Sequence, residues 1–166
     1  MSDRRCGDCT LCCKIMAIEE LDKPAGKWCH HCHPGRCHVY DNRPAECRQF
    51  NCLWLVDVRF GPHWQPSKSK LVLTTSEDGI EVRCDPAFPD AWRKEPFHRE
   101  IRALAASGEA NDVTVLVMIG QRMILLASDR ELDLGVVGAD ERIVRELDGG
   151  RLIGASVVKA ADLEGG

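Results

Sequence analysis

The run Cys6-Gly7-Asp8-Cys9-Thr10-Leu11-Cys12-Cys13 decides how this chain is read. Two residues between cysteines is the spacing at which a tight turn directs both sulfurs, and often a backbone N–H, toward one metal. One such pair alone says little, but a second, Cys29-His30-His31-Cys32, follows at loop distance, and then come Cys37, Cys47 and Cys52. Nine of the ten cysteines therefore lie between Cys6 and Cys52. The tenth, Cys84, sits in a strand-like stretch where a thiol serves as a small core residue. In a reducing compartment such density points to metal ligands or redox groups rather than to disulfides.

The candidate ligands are Cys6, Cys9, Cys12, Cys13, Cys29, Cys32, Cys37, Cys47 and Cys52. Adjacent side chains diverge in most backbone conformations, so Cys12 and Cys13 are not expected on one tetrahedral ion. Cys47 and Cys52 are roughly 140° apart around a helix and can meet on one metal only if that helix breaks between them. Two centres fit these constraints better than one, either as two four-cysteine sites or as an iron–sulfur cluster with a zinc. Zinc and iron both accept four thiolates, so the expected cofactor is zinc or an iron–sulfur cluster. His31, enclosed by the second pair, is the foremost histidine candidate; His30, His33 and His38 read as outer-layer or solvent groups. Arg36, Arg43 and Arg48 are placed to offset thiolate charge. Trp28, Tyr40, Phe50 and Trp54 supply a small apolar shell.

Working outward, the 166 residues are 44% hydrophobic and 29% charged, enough for one packed domain or for a compact domain plus a small satellite. Residues 1–60 form a cysteine-cluster lobe with little periodicity, which needs metal in place of a large hydrophobic core. Asn42 with Pro44 marks a helix start, and that helix is expected to end near Trp54 or Val58. Gly61 to Ser67, with two prolines and a glycine, is the natural boundary.

Residues 67–160 then read as α+β. Lys70 to Thr75 and Ile80 to Cys84 form a hairpin, and so do Val113 to Ile119 and Met123 to Ala127 across Gly120-Gln121. Asp90 to Ala106 is an amphipathic helix stopped by Gly108, Asp140 to Leu147 a short helix closed by Gly149-Gly150, and Leu152 to Val158 a last strand. The fold class is therefore α+β: an irregular, metal-organised cysteine-rich N-terminal lobe plus antiparallel β-hairpins packed with a helix.

These residues resemble a known family. Cys6-x-x-Cys9-x-x-Cys12-Cys13, Trp28-Cys29-x-x-Cys32, Cys37 to Pro44 and Cys47-Arg48-Gln49-Phe50-Asn51-Cys52 look like the YkgJ-type CxxCxxCC cysteine-cluster proteins, described as zinc- or iron-chelating. The likeness covers about residues 6 to 54, and the Tyr40-x-x-Arg43-Pro44-x-x-Cys47-Arg48-x-Phe50 segment makes it more specific than cysteine count. It implies that Cys6, Cys9, Cys12, Cys13, Cys37, Cys47 and Cys52, with Cys29 or Cys32, form an eight-cysteine pattern. A related cluster occurs in flagellin lysine methylases, but this chain shows no glycine-rich nucleotide loop after a strand, so that activity does not carry over. The first run also departs from the bacterial ferredoxin pattern, because Cys13 follows Cys12 directly.

Charge narrows the partners. Residues 1–60 carry a formal +1 and the remainder −5. Eight thiolates holding two divalent metals would bring the first part to −3, which disfavours a phosphate-tracking surface and makes nucleic acid an unlikely partner. The longest apolar stretches are strand-sized, well short of the roughly 20 residues that span a bilayer, so no membrane association is expected. Residues 1–9 show no secretory signal, and a cytoplasmic location is the expectation. The leading reading is a metal-binding protein with structural centres and a protein partner. The alternatives are an iron–sulfur-dependent redox or group-transfer enzyme and a metal storage or delivery protein. No nucleophile–base pair, phosphate loop or telling carboxylate pair supports an enzyme.

Overall fold

Short elements dominate the first half of the chain, as its prolines, glycines and cysteines dictate. The computed structural model describes residues 4–33 and 35–163. In order come α1 (Cys12–Ile15), β1 (Cys32–His33), β2 (Arg36–Cys37), α2 (Ala45–Gln49), α3 (Leu53–Val56) and α4 (Pro66–Ser69). They are followed by β3 (Leu71–Thr75), β4 (Gly79–Cys84), α5 (Phe97–Glu109), β5 (Thr114–Ile119), β6 (Arg122–Leu126), β7 (Glu131–Val136), β8 (Glu141–Asp148), β9 (Arg151–Lys159) and α6 (Ala160–Leu163). Strands β3 to β7 stand in chain order in one sheet, while β1–β2 and β8–β9 are separate two-stranded ribbons. The architecture is α+β, with antiparallel hairpins and one long helix. Among the described residues no helix is long and apolar enough to cross a membrane.

Two compact units emerge, Met1–Thr74 with Arg83–Ala91, and Thr75–Val82 with Trp92–Gly166. The division runs through the first hairpin and not through residues 61–67. That stretch is no linker. Pro62–Trp64 forms a 3-10 turn, Trp64 is 1% exposed, and the Phe60 and Trp64 rings meet edge to face at 5.6 Å. The prolines shape a turn that delivers a large aromatic to the core, a use of proline that composition does not distinguish from a boundary.

In the first unit, Leu11, Ile15 and Val72 are buried together, with Met16, Phe50 and Cys52 against them. Leu71, Leu73, Cys84 and Ala91 are also buried, so Cys84 is the packing residue its strand position predicts. Arg4 Nη1 donates to the carbonyls of Trp54 and Phe60, both at 2.6 Å, holding the N-terminal segment to the end of α3. The helix expected from Asn42 to Trp54 or Val58 is instead three pieces: a 3-10 turn at Tyr40–Asn42, α2 behind the extended Pro44, and α3. Phe50 and Cys52 are extended and break the helix between Cys47 and Cys52.

In the second unit, β5 and β6 pair with Val115 opposite Leu126 and Val117 opposite Ile124, and β7 continues the sheet past an irregularity at Met123/Ile124. Helix α5 lies on β5 and buries Ile101 and Ala105. It runs through Gly108 instead of stopping there. A Cβ at Gly108 would lie 2.4 Å from the Val113 carbonyl, so this glycine serves the close return of the chain and not helix termination. The helix expected over Asp140 to Leu147 is strand β8. Gly149 and Gly150, both at positive φ, make a two-residue hairpin turn that pairs it with β9, from Asp148↔Arg151 to Glu141↔Lys159. Leu152 of β9 is buried with Leu125 and Ala127, with Ile143 packed against them.

Candidate metal centre

Both C-x-x-C segments close as four-residue turns, the first with Gly7 at positive φ and the second without such a residue. Cys9 N–H donates to the Cys6 carbonyl at 2.8 Å, and Cys32 N–H to the Cys29 carbonyl at 2.9 Å. The two turns are joined, because Cys29 N–H donates to the Cys13 carbonyl at 3.0 Å. The β1–β2 ribbon sets Cys32 directly opposite Cys37, and antiparallel partners share a face. The helix break at Phe50–Cys52 frees Cys52 from the 140° offset that a continuous helix would impose.

The result is one cleft of about 220 Å³ lined by Cys6, Cys9, Cys12, Cys13, Cys29, Cys37, Cys47 and Cys52. Cys32 is not on this lining, yet it hydrogen-bonds Cys13. All ten cysteines are thiols without a disulfide. His31 lines the cleft with its ring against His30, whereas His33 and His38 contact each other away from it. Tyr40, Phe50 and Trp54 line the cleft as the expected apolar shell. Trp28 does not; it is 54% exposed, with Lys14 Nζ over its ring. Among the described residues, no three or more His, Cys, Asp or Glu side chains stand close enough together to hold a metal ion as they are placed. The donors are thus gathered around one space without being closed on a point.

Electrostatics sorts the thiols into two overlapping neighbourhoods. Burial, then Cys9, pushes the Cys6 thiol up, and burial with Cys6 and Cys9 pushes up Cys52, partly offset by the Leu55 N–H. Burial, then Cys13, pushes Cys32 up to about 11. Cys47 is raised by burial and by Cys13, Cys29 and Cys37. Cys13 is raised furthest, first by its hydrogen bond with Cys12 and then by burial. One neighbourhood is therefore Cys6, Cys9 and Cys52, and the other is Cys13, Cys29, Cys32, Cys37 and Cys47, with Cys12 beside Cys13; the two meet at Cys13, which also raises Cys6. Crowded thiols that resist ionisation next to one another are the donors a cation would deprotonate.

No family model, curated protein or solved structure matches this chain. The site therefore rests on its own residues.

Two cations border the cleft residues. The Arg43 guanidinium stacks on the Tyr40 ring at 4.1 Å. Burial opposes its charge, but Tyr40 and then Cys6 and Cys47 outweigh that and raise its pKa. Tyr40 also hydrogen-bonds Cys6 and favours its thiolate, which gives the Tyr40-x-x-Arg43 spacing a physical use. Arg48 holds the Arg43 carbonyl at 2.7 Å, and Arg36 is exposed on β2. Lys23, not singled out from the sequence, is only 6% exposed. Its ammonium donates to the carbonyls of Lys14 at 3.2 Å, Pro24 at 3.1 Å and Met16. Burial lowers its pKa, while Cys29, Cys13, Cys47 and Cys12 pull the other way. It thereby satisfies carbonyls at the end of α1, the helix that carries Cys12 and Cys13. The only sequence signal for Lys23 is a lysine just before Pro24 in a loop, which does not distinguish it from a solvated side chain.

Proposed function

We propose that this chain is a metal-binding cysteine-cluster protein. Its first unit would use Cys6, Cys9, Cys12, Cys13, Cys29, Cys32, Cys37, Cys47 and Cys52 to hold zinc or an iron–sulfur cluster in two centres. The observation that carries this reading is the convergence of eight cysteines, from segments up to 46 positions apart, on one cleft. Core packing alone would scatter thiols among apolar neighbours, as it does Cys84. The two electrostatic neighbourhoods support a division into one centre around Cys6, Cys9 and Cys52 and a second around Cys13, Cys29, Cys32, Cys37 and Cys47. Bound there, the metal supplies thiolate cross-links that organise a unit of short elements. The likeness to the YkgJ-type proteins agrees with this role, and the second unit is then the surface available to a protein partner in the cytoplasm.

An iron–sulfur centre is a specific second reading. Cysteine thiolates hold iron–sulfur clusters as well as zinc, and the eight on the cleft lining suffice for a four-cysteine cluster beside a zinc. Elemental analysis of anaerobically purified protein, with acid-labile sulfide, separates the two. Zinc without sulfide supports structural zinc, iron with equal sulfide supports the cluster, and neither metal contradicts both. Cys12→Ser and Cys13→Ser are each expected to lose a different metal equivalent; identical losses would argue for one centre.

A further inference from the structure

Among the described residues three buried side-chain polar atoms have no hydrogen-bond partner: Arg43 Nε, Trp54 Nε1 and Thr114 Oγ1. Thr114 lines a separate space of about 20 Å³, the size that admits one water. The other two side chains line the cysteine cleft. Both atoms are N–H groups that can only donate, so each calls for an acceptor from whatever fills the cleft. Protonated thiols are poor acceptors and thiolates good ones, and N–H donors facing metal-bound sulfur are a common outer layer of such centres. The charges around Arg43 agree, since Cys6 and Cys47, one from each neighbourhood, are the thiols that favour its charge.

We propose that Arg43 Nε and Trp54 Nε1 are sulfur-facing donors that hydrogen-bond the thiolates of the loaded centre and draw electron density from them. This rests on the metal reading above. Arg43, on the cleft lining with Cys6 and Cys47, serves thiols of both neighbourhoods, and Trp54 serves the neighbourhood of Cys52, two residues before it. The pair are positioning residues: they bind no metal themselves and act through sulfur.

The test uses the full chain, stripped of metal under reducing, anaerobic conditions and titrated with Co2+, whose thiolate charge-transfer band reports sulfur electron density. Trp54→Phe keeps the ring and removes the N–H; Arg43→Lys keeps the charge and removes Nε. Both are expected to bind Co2+ about 10- to 100-fold more weakly. Both bands should move to longer wavelength, because sulfur freed of a donor gives up electrons more readily. Trp28→Phe, away from the cleft, should match the unchanged chain in affinity and band. A mere loss of packing weakens binding without moving the band of the protein that does bind, so weaker binding with an unmoved band overturns the proposal, as does unaltered affinity. If the unchanged chain takes up no Co2+, the metal reading itself fails, and this inference fails with it.

Discussion

The two units solve the problem of stability differently. The second contains a 13-residue helix and a 9-residue strand, and its ladders and buried Ile101, Val115, Val117 and Leu125 are an ordinary α+β core. Within residues 4–56 the longest helix or strand has 5 residues, and eight cysteines converge on one cleft. Backbone ladders and apolar burial hold the one; in the other, burial of Trp64, Leu71 and Val72 is joined by a cysteine cleft that ligation would close. The contrast teaches that this chain gathers its cysteines where its fold is least regular, because loops and single turns can bring side chains from distant segments to one place.

That contrast can be broken experimentally. The largest expected effect is metal removal. Structural thiolate sites contribute about 10–16 kcal/mol, so a strong chelator should abolish hydrogen-exchange protection over residues 6–56 and leave β5 to β9 protected. Loss of protection in both units together would erase the distinction. Conversely, Leu125→Ala, in the fully buried core of the second unit, should cost about 2–5 kcal/mol in denaturant unfolding while metal content is unchanged.

A smaller effect sharpens the account of the first unit. Lys23→Met leaves the carbonyls of Lys14, Met16 and Pro24 without their shared donor. Unsatisfied buried groups cost about 1–3 kcal/mol, so the thermal midpoint of the first unit should fall, with no change in the second. The smallest effect is on pH. The thiols of Cys6, Cys13, Cys32, Cys47 and Cys52 have pKa values above their ordinary one of 9.0 in the folded chain. Metal must displace those protons to bind, so the affinity of the full chain for Zn2+ or Co2+ should rise with pH, which metal titration at about pH 6.5 and about pH 8 would show; an affinity that does not change with pH would count against thiolate ligation.

Much of this was legible in the sequence, and the failures have physical causes. The hairpins at 71–84 and 114–126 followed from alternating β-branched residues and glycine turns. Strand β8 was misread because Ile143, Val144 and Leu147 also suit a helix face among charged helix formers; its strand state comes from pairing with β9, a tertiary fact. Strand β7 was missed because Gly135 and Asp133 dilute its pattern. Trp64 lay hidden among prolines that resemble a linker. For the site, spacing alone singled out the nine cysteines as candidates and showed that Cys47 and Cys52 could meet only if the helix broke between them. It could not show that separate turns share one cleft, nor that Lys23 is buried beneath it or that Arg43 and Trp54 present unpaired donors, because those facts depend on contacts between distant segments.

The central claim is that the cleft cysteines are metal ligands. It is tested most directly by alkylating the natively purified full chain with iodoacetamide, before and after chelation, and mapping the modified residues. The account predicts that Cys6, Cys9, Cys12, Cys13, Cys29, Cys37, Cys47 and Cys52 are protected until chelator is added and then react, whereas Cys84 stays unreactive in both. If the cleft thiols of native protein react at the same rate with and without chelator, no metal holds them, and the account is contradicted.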